Sequence, residues 1–135
     1  MISLQALDAN FIVAVTDFRL QEREKARSVL DETVESVVPC VAYGEAWYGL
    51  CRGRPDKTAK KRKLFEQYIL PLRKLWPDQE TLLSFHDLCW TLARQGTPIQ
   101  SNDVWIAALC LQHDAILLTD DSDFKHVPGL QVRSW

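Results

Sequence analysis

Residues 102–124, NDVWIAALCLQHDAILLTDDSDF, predict a buried helix that leads into the central strand of a sheet. Apolar side chains fall on nearly every side of the helix predicted at 102–112, which is typical of a helix enclosed in a core. Residues 115–119 form an unbroken apolar run, which is typical of a parallel strand covered on both faces. Acidic residues follow that strand at once. This stretch therefore predicts an α/β fold with a mostly parallel sheet.

Strand and helix patterns alternate along the rest of the chain. The helical patterns cover residues 10–15, 22–35, 41–51, 57–68, 79–94 and 102–112. The apolar runs that predict strands cover residues 4–7, 37–40, 69–76, 115–119 and 130–132. Such alternation predicts a sheet of four or five strands with helices on both faces, which is a three-layer α/β/α sandwich.

The composition predicts a single domain that spans residues 1–135. Hydrophobic residues make up 47% of the chain, which suffices for a core without a disulfide or a structural metal. The four cysteines form no C-x-x-C pair and predict free thiols. The N-terminus has no signal-peptide pattern, and no apolar run is long enough to span a membrane. We therefore expect a cytoplasmic protein without a membrane partner.

Basic residues are concentrated in one segment of this slightly acidic chain, whose net charge is −2. Residues 52–63 contain seven Lys and Arg residues and a single acid, Asp56. Most of them fall on the helix predicted at 57–68. Such a helix would suit contacts with a nucleic-acid backbone, although a solvated surface helix has the same pattern.

Four acidic residues that are distant in sequence follow strands or lie near the starts of helices: Asp8, Glu45, Asp103 and Asp121. In a parallel sheet these junctions lie at the carboxyl edge, where ligands bind. Carboxylates gathered there repel one another unless a divalent cation holds them. Mg²⁺ and Mn²⁺ prefer oxygen ligands and activate water for attack on phosphodiester bonds. The pattern therefore favours metal-dependent hydrolysis of such bonds.

Each acid taken singly also has an ordinary structural explanation. A helix cap accounts for Asp8 or Asp103, and a solvated helix position accounts for Glu45. Turn formation accounts for Asp121 and Asp123 in the D-D-S-D stretch. The repetition of acids at successive junctions is what favours a shared site.

Four sequence blocks resemble the signature blocks of the PIN domain family, and in particular its VapC-type toxins. The blocks are LDAN at 7–10, GEAWYGL at 44–50, SNDVWIAA at 101–108 and LLTDDSDFKHVPGL at 117–130. The resemblance covers almost the whole chain, and the last block is its most specific part. It implies a PIN-like fold and an endoribonuclease that depends on Mg²⁺ or Mn²⁺.

The resemblance also implies roles for individual residues. Asp8, Glu45, Asp103 and Asp121 match the acids of the family's metal site, and Asp123 competes with Asp121 as a ligand. Asn10 would support Asp8 through a hydrogen bond, and Thr119 would support the site from behind the ligands. Ser101 departs from the family pattern, in which an acid is frequent at that position. The loop 119–124 is one residue shorter than in some relatives, so Asp120 is also a candidate for the fourth acid.

These expectations define a toxin that hydrolyses a structured RNA such as a tRNA or an rRNA loop. The resemblance implies a cognate antitoxin as a protein partner and a homodimer as the assembly. The alternative is a PIN-like module that binds RNA or protein without catalysis. Cleavage assays with Mn²⁺ and with EDTA distinguish the two.

Overall fold

A computed structural model describes residues 4–17, 19–30 and 34–135. Its strands are β1 Leu4–Leu7, β2 Glu35–Pro39, β3 Arg73–Leu75, β4 Ala115–Leu118 and β5 Val132–Arg133. Its helices are α1 Ala9–Val15, α2 Leu20–Leu30, α3 Cys40–Cys51, α4 Pro55–Tyr68, α5 Gln79–Arg94 and α6 Ser101–Gln112, with a short 3-10 helix at Ser122–His126. The predicted alternation of strands and helices is confirmed. None of these helices is long and apolar enough to cross a membrane.

The five strands form one sheet in the order β3-β2-β1-β4-β5. All four neighbouring pairs run parallel, with β1 in the centre. The carboxyl ends of the strands therefore lie along one edge of the sheet, called here the carboxyl edge. Residues that follow any of the strands are placed at this edge by the topology.

Helices cover both faces of the sheet, and successive strand residues enter opposite cores. On β4, Leu117 packs with residues of α5 and α6, whereas Leu118 packs with residues of α1, α2 and α4. On β1, Ala6 lies in the same core as Leu117, and Leu7 lies in the same core as Leu118. The three-layer α/β/α architecture is therefore confirmed, and α6 is the enclosed helix that the sequence predicts, since Ile106, Ala107, Ala108, Leu109 and Cys110 are all fully buried.

The helix predicted at 22–35 is wrong at its C-terminal end. Helix α2 ends at Leu30, and Glu35 is extended at the start of β2, where it pairs with Leu4 of β1. Residues 31–33 lie outside the described residues. Strand pairing overrides the helical sequence pattern here, because hydrogen bonds to parallel partner strands fix the backbone of residues 35–39.

The strand predicted at 69–76 is much shorter in the structure. Ile69 is the C-cap of α4, the N–H of Leu70 donates to the carbonyl oxygen of Phe65 in that helix, and the N–H of Leu72 donates to the carbonyl oxygen of Ile69. Pro71 cannot donate to a sheet, so pairing starts only at Arg73. The remaining boundaries differ by one or two residues: β2 begins at Glu35 rather than 37, Cys40 opens α3, Pro55 opens α4, and β5 includes Arg133.

The interior strand β4, which lies next to the central strand β1, should carry much of the stability, because its Leu117 is fully buried in the core that it shares with α6. We expect Leu117→Ala to lower the free energy of unfolding by about 2–5 kcal/mol, through lost burial and the cavity left behind. Chemical denaturation checks this value. The control is Leu70→Ala, at a side chain that is 48% exposed, and it should cost far less. Equal losses in the two variants would contradict the described packing.

Candidate functional site

Asp8 stands at the centre of the carboxyl edge, directly after β1. Its backbone N–H donates to the carbonyl oxygen of Leu118 at 3.1 Å, which ties the ends of β1 and β4 together. Its side chain caps α1, since Oδ1 accepts from the N–H of Ala9 at 2.9 Å. The residue is only 5% exposed. The helix-cap explanation of Asp8 is thus correct, and it accounts for only one of the two carboxylate oxygens.

Thr119 connects Asp8 with the loop that follows β4. The Thr119 hydroxyl donates to Oδ2 of Asp8 at 2.7 Å. The hydroxyl oxygen of Thr119 in turn accepts from Nδ2 of Asn10 at 3.2 Å and from the backbone N–H of Asp121 at 3.0 Å. One donor and two acceptor positions are all that a hydroxyl offers, so Thr119 is fully used. The family resemblance implies that Asn10 supports Asp8 through a hydrogen bond, whereas in the structure the Thr119 hydroxyl lies between them.

Glu45 and Asp103 reach the same edge from two helices, and Asp8 acts on the pKa of each. Glu45 lies in the second turn of α3, and Asp103 lies in the first turn of α6. Partial loss of hydration raises the pKa of Glu45, and the negative charge of Asp8 raises it further. Burial likewise raises the pKa of Asp8, against the hydrogen bonds from Thr119 and Ala9, and Asp121 adds to the rise. The acids therefore lie within electrostatic range of one another, as expected from the topology.

The pKa of Asp103 is raised both by burial and by the charges of its neighbours. Burial raises the pKa of its carboxyl from 3.8 to about 7, and four neighbouring acids add to the shift. In decreasing order of effect, these neighbours are Asp8, Asp121, Glu45 and Asp123. Because all four neighbouring charges that act on Asp103 are negative, a cation bound among these acids would lower the pKa of Asp103 again.

The loop after β4 holds three acids, of which Asp121 has the most direct connection to the site. It acts on the pKa values of both Asp8 and Asp103, whereas Asp123 acts on Asp103 alone and more weakly. Oδ1 of Asp121 also caps the short 3-10 helix by accepting from the N–H of Asp123 at 2.9 Å. Asp120 is exposed and appears among the perturbing charges of neither acid. These observations favour Asp121 as the fourth acid.

The candidate ligand atoms are of the type that a hard divalent cation binds, but the side chains are not close enough together to hold one. All candidate ligands are carboxylate oxygens, and Oδ1 of Asn10 is a further oxygen that is shielded from solvent and accepts no hydrogen bond. Among residues 4–17, 19–30 and 34–135, however, no group of three or more His, Cys, Asp and Glu side chains is arranged to hold a metal ion as it stands. Repelling carboxylates spread apart, so side-chain rotation would have to close the group around an ion.

A cavity of about 270 Å³ adjoins the acids on the β5 side. It is lined by Thr119, Asp120, Asp121, Ser122, Lys125, Val132, Arg133 and Ser134. Its two basic side chains, Lys125 and Arg133, were not among the residues that the sequence pattern identified. The signal that could have found them is the position of Arg133, which continues β5 beyond the predicted end at 132 and so reaches the carboxyl edge.

Comparisons with protein sequences identify relatives of this chain. A family model described as the PIN domain matches residues 6–130. Ribonuclease VapC1 of Haemophilus influenzae strain R2866 is 36% identical over 62 residues, which are 45% of this chain and 46% of that protein. Ribonuclease VapC1 of strain ATCC 51907 is 34% identical over the same shares. The match thus spans about half the length of these curated relatives.

Comparisons with solved structures find the same fold over the full chain. A chain of VapBC2 from Rickettsia felis, bound to a DNA fragment from its promoter, gives a TM-score of 0.83 at 18% identity and 98% coverage of both chains. DNA-bound VapBC from Salmonella typhimurium gives 0.81 at 21% identity, covering 100% and 99%. VapBC-1 from nontypeable Haemophilus influenzae gives 0.78 at 26% identity, covering 98% of each.

The raised pKa of Asp103 makes stability depend on pH in the metal-free protein. In the unfolded chain this carboxyl ionises near its ordinary value of 3.8, whereas in the folded protein it holds its proton up to about pH 7. The folded state binds more protons between these values, so stability falls as pH rises through that window. We therefore expect Asp103→Asn to stabilise the protein in EDTA at neutral pH, and the gain to vanish near the ordinary pKa.

Denaturant midpoints measured across this pH window check the expectation. Asp56→Asn is the control, because Asp56 is an exposed side chain of α4. A gain from Asp103→Asn that stays constant with pH would show that the acids do not interact as described.

Proposed function

Because the chain belongs to the PIN domain family, we propose that it is a metal-dependent endoribonuclease that hydrolyses phosphodiester bonds in structured RNA. The observation that carries the proposal is that the fold brings Asp8, Glu45, Asp103 and Asp121 to one edge of the sheet, close enough for the other three acids to add to the rise that burial causes in the pKa of Asp103. The ribonuclease names of the relatives from Haemophilus influenzae support the same activity. A loop of tRNA or rRNA is the proposed substrate.

Asp8, Glu45, Asp103 and Asp121 would hold Mg²⁺ or Mn²⁺, with Asp123 as a further candidate ligand. When bound, such an ion lowers the pKa of a coordinated water and neutralises negative charge on the phosphate oxygens. The Thr119 hydroxyl keeps Asp8 in one orientation and holds the backbone of Asp121 beside it. Asn10 in turn fixes the orientation of that hydroxyl. Asp103 gives up its proton on binding the ion, so metal affinity should rise with pH.

Two groups of basic side chains, one beside the acids and one on α4, would hold the RNA backbone. Lys125 and Arg133 line the cavity beside Asp121. Most of the basic residues of α4, such as Lys57, Lys60 and Lys63, are exposed. Contacts of this type bind phosphates without regard to sequence, and they weaken as salt concentration rises.

Purified protein should cut RNA in Mn²⁺ or Mg²⁺ and lose all cleavage in EDTA. Asp8→Asn and Asp103→Asn should reduce cleavage by about 100-fold or more, because each removes a charge that holds the ion and its water. Thr119→Val, which removes the orienting hydroxyl and keeps the shape, should cost about 10- to 100-fold. Cleavage rates on total tRNA and rRNA, with circular dichroism as the check on folding, measure these effects.

The loop acids provide matched controls within three residues of each other. Asp121→Asn should be as damaging as Asp103→Asn, Asp123→Asn should be milder, and Asp120→Asn should be close to wild type. Full cleavage by folded Asp8→Asn protein would refute the proposed metal site.

The second candidate function is a PIN-like module that binds RNA or protein without catalysis. The observation in its favour is that no three acids of the described residues are arranged to hold an ion as they stand. RNA binding without cleavage in Mg²⁺, Mn²⁺ and EDTA alike would establish this function instead.

We also propose that the protein acts in the cytoplasm as a toxin, as a homodimer, and as a single domain over residues 1–135. A cognate antitoxin would keep it inactive by covering the acids. The solved VapBC complexes, in which a related fold occurs, support this partner.

Expression of the chain alone should arrest bacterial growth, and co-expression of the protein encoded by an adjacent small gene should restore it. Asp103→Asn should permit growth in either case. The control is Asp87→Asn, at an exposed side chain of α5, which should arrest growth like the wild type. Arrest that persists in folded Asp103→Asn protein would separate toxicity from the acids.

A further inference from the structure

A second cavity opens on the carboxyl edge, on the other side of the acids from Lys125 and Arg133. It measures about 280 Å³ and is lined by Cys40, Tyr43, Lys74 and Trp76. Cys40 directly follows β2, and Trp76 directly follows β3. Parallel strands lie about 4.8 Å apart, so the end of β3 is about 10 Å from the end of β1, where Asp8 stands. This cavity is called here the aromatic cavity.

We propose that the aromatic cavity binds a nucleobase of the RNA substrate, stacked on Trp76, at a nucleotide that flanks the cleaved bond. The proposal rests on the proposed ribonuclease function and extends it, because it assigns a base-binding subsite to residues outside the acids.

Trp76 is the side chain that makes this cavity suited to a base. It is 69% exposed, which is the highest value among the large apolar side chains of the described residues. An indole ring held at the mouth of a cavity offers a flat apolar face. Single-stranded nucleic acids bind such faces because every base can stack on them, whatever its hydrogen-bonding edges.

Lys74 adds a positive charge to the wall of the aromatic cavity. Its ammonium group donates to the carbonyl oxygen of Leu70 and lies 5.3 Å from the centre of the Tyr43 ring. Two further N–H donors remain on that group. Among the described residues, none of those that line the cavity is acidic, in contrast to the neighbouring site. An aromatic face beside a cation suits a ligand that is both flat and anionic, as a nucleotide is.

The start of α3 lies between the acids and the aromatic cavity. Its N-cap is Pro39, which provides no side-chain hydrogen bond to the first turn. The N-terminus of a helix carries a partial positive charge that favours phosphate oxygens. An RNA strand that runs along the carboxyl edge from Asp8 to Trp76 would pass this helix end, so charge and shape are continuous between the two sites.

Stacking on Trp76 can be separated from charge by comparing two short single-stranded probes, an oligoadenylate and a ribose–phosphate strand of equal length without bases. On the cleavage-deficient Asp8→Asn background, the protein should bind the oligoadenylate more tightly than it binds the strand without bases. Trp76→Leu should weaken that binding by about 5- to 150-fold, the factor expected for loss of one stacked base. It should leave binding of the baseless strand unchanged. Trp76→Phe, which keeps an aromatic face, should recover most of the loss.

Trp90→Leu is the matched control, because Trp90 is 63% exposed and lies eleven residues along α5, about 17 Å from the helix start. It should bind both probes as the parent does. Equal weakening of both probes by Trp76→Leu, or no weakening of either, would overturn the subsite. If Trp76→Leu changes the molecular mass of the assembly in solution without changing RNA binding, the subsite is overturned too, because Trp76 would then belong to a protein interface.

The same measurements keep the two proposals distinct. If the wild type cuts RNA in Mn²⁺ and Trp76→Leu cuts it with unchanged KM and kcat, the proposed base-binding subsite is refuted and the proposed ribonuclease function stands. If the wild type neither cuts nor binds RNA, both proposals fall together.

Discussion

The hydroxyl of Thr119 is the interaction on which the organisation of the site depends. It joins the ends of the two central strands, because Asp8 follows β1 and Thr119 follows β4. It also fixes Asn10 and the backbone of Asp121, which come from segments more than a hundred residues apart. A single buried oxygen thus holds one acid and positions the loop of another. No other residue type of similar size offers a donor and two acceptor positions on a branched side chain.

The acids repel one another, and the packing of the rest of the fold must offset the free-energy cost of that repulsion. Burial and neighbouring charges both raise the pKa of Asp103, so the folded protein retains stored electrostatic energy at neutral pH. The parallel sheet makes this possible, since it brings every strand end to one edge and covers both faces with apolar helices. The side chains along this edge differ in character: the basic residues Lys125 and Arg133 lie on the β5 side, and Trp76 and Lys74 lie on the β3 side. An extended polyanion is the kind of ligand that could contact all three regions at once.

The fold was largely determined by local sequence patterns. The unbroken apolar run at 115–119 and the enclosed helix before it predict a parallel sheet, and the structure has one. The helix predicted at 79–94 has those same bounds in the structure, where Asp78 caps its start and Gly96 adopts a positive φ just after its end. Patterns fail where partners elsewhere in the chain decide the backbone. Glu35 leaves a helical pattern to pair with Leu4, and Pro71 shortens β3.

The candidate site divides in the same way between sequence and tertiary structure. The sequence alone identified Asp8, Glu45, Asp103 and Asp121, because acids at strand ends and helix starts can be recognised from local periodicity and family blocks. Only the fold decided that Asn10 acts on Asp8 through Thr119, that Asp121 has the most direct connection of the three loop acids, and that Trp76 is exposed on the same edge. These facts depend on which strands are neighbours and how far apart side chains stand. Distance across a sheet leaves no trace in local sequence, since β1 and β4 are neighbours in space and more than a hundred residues apart in the chain.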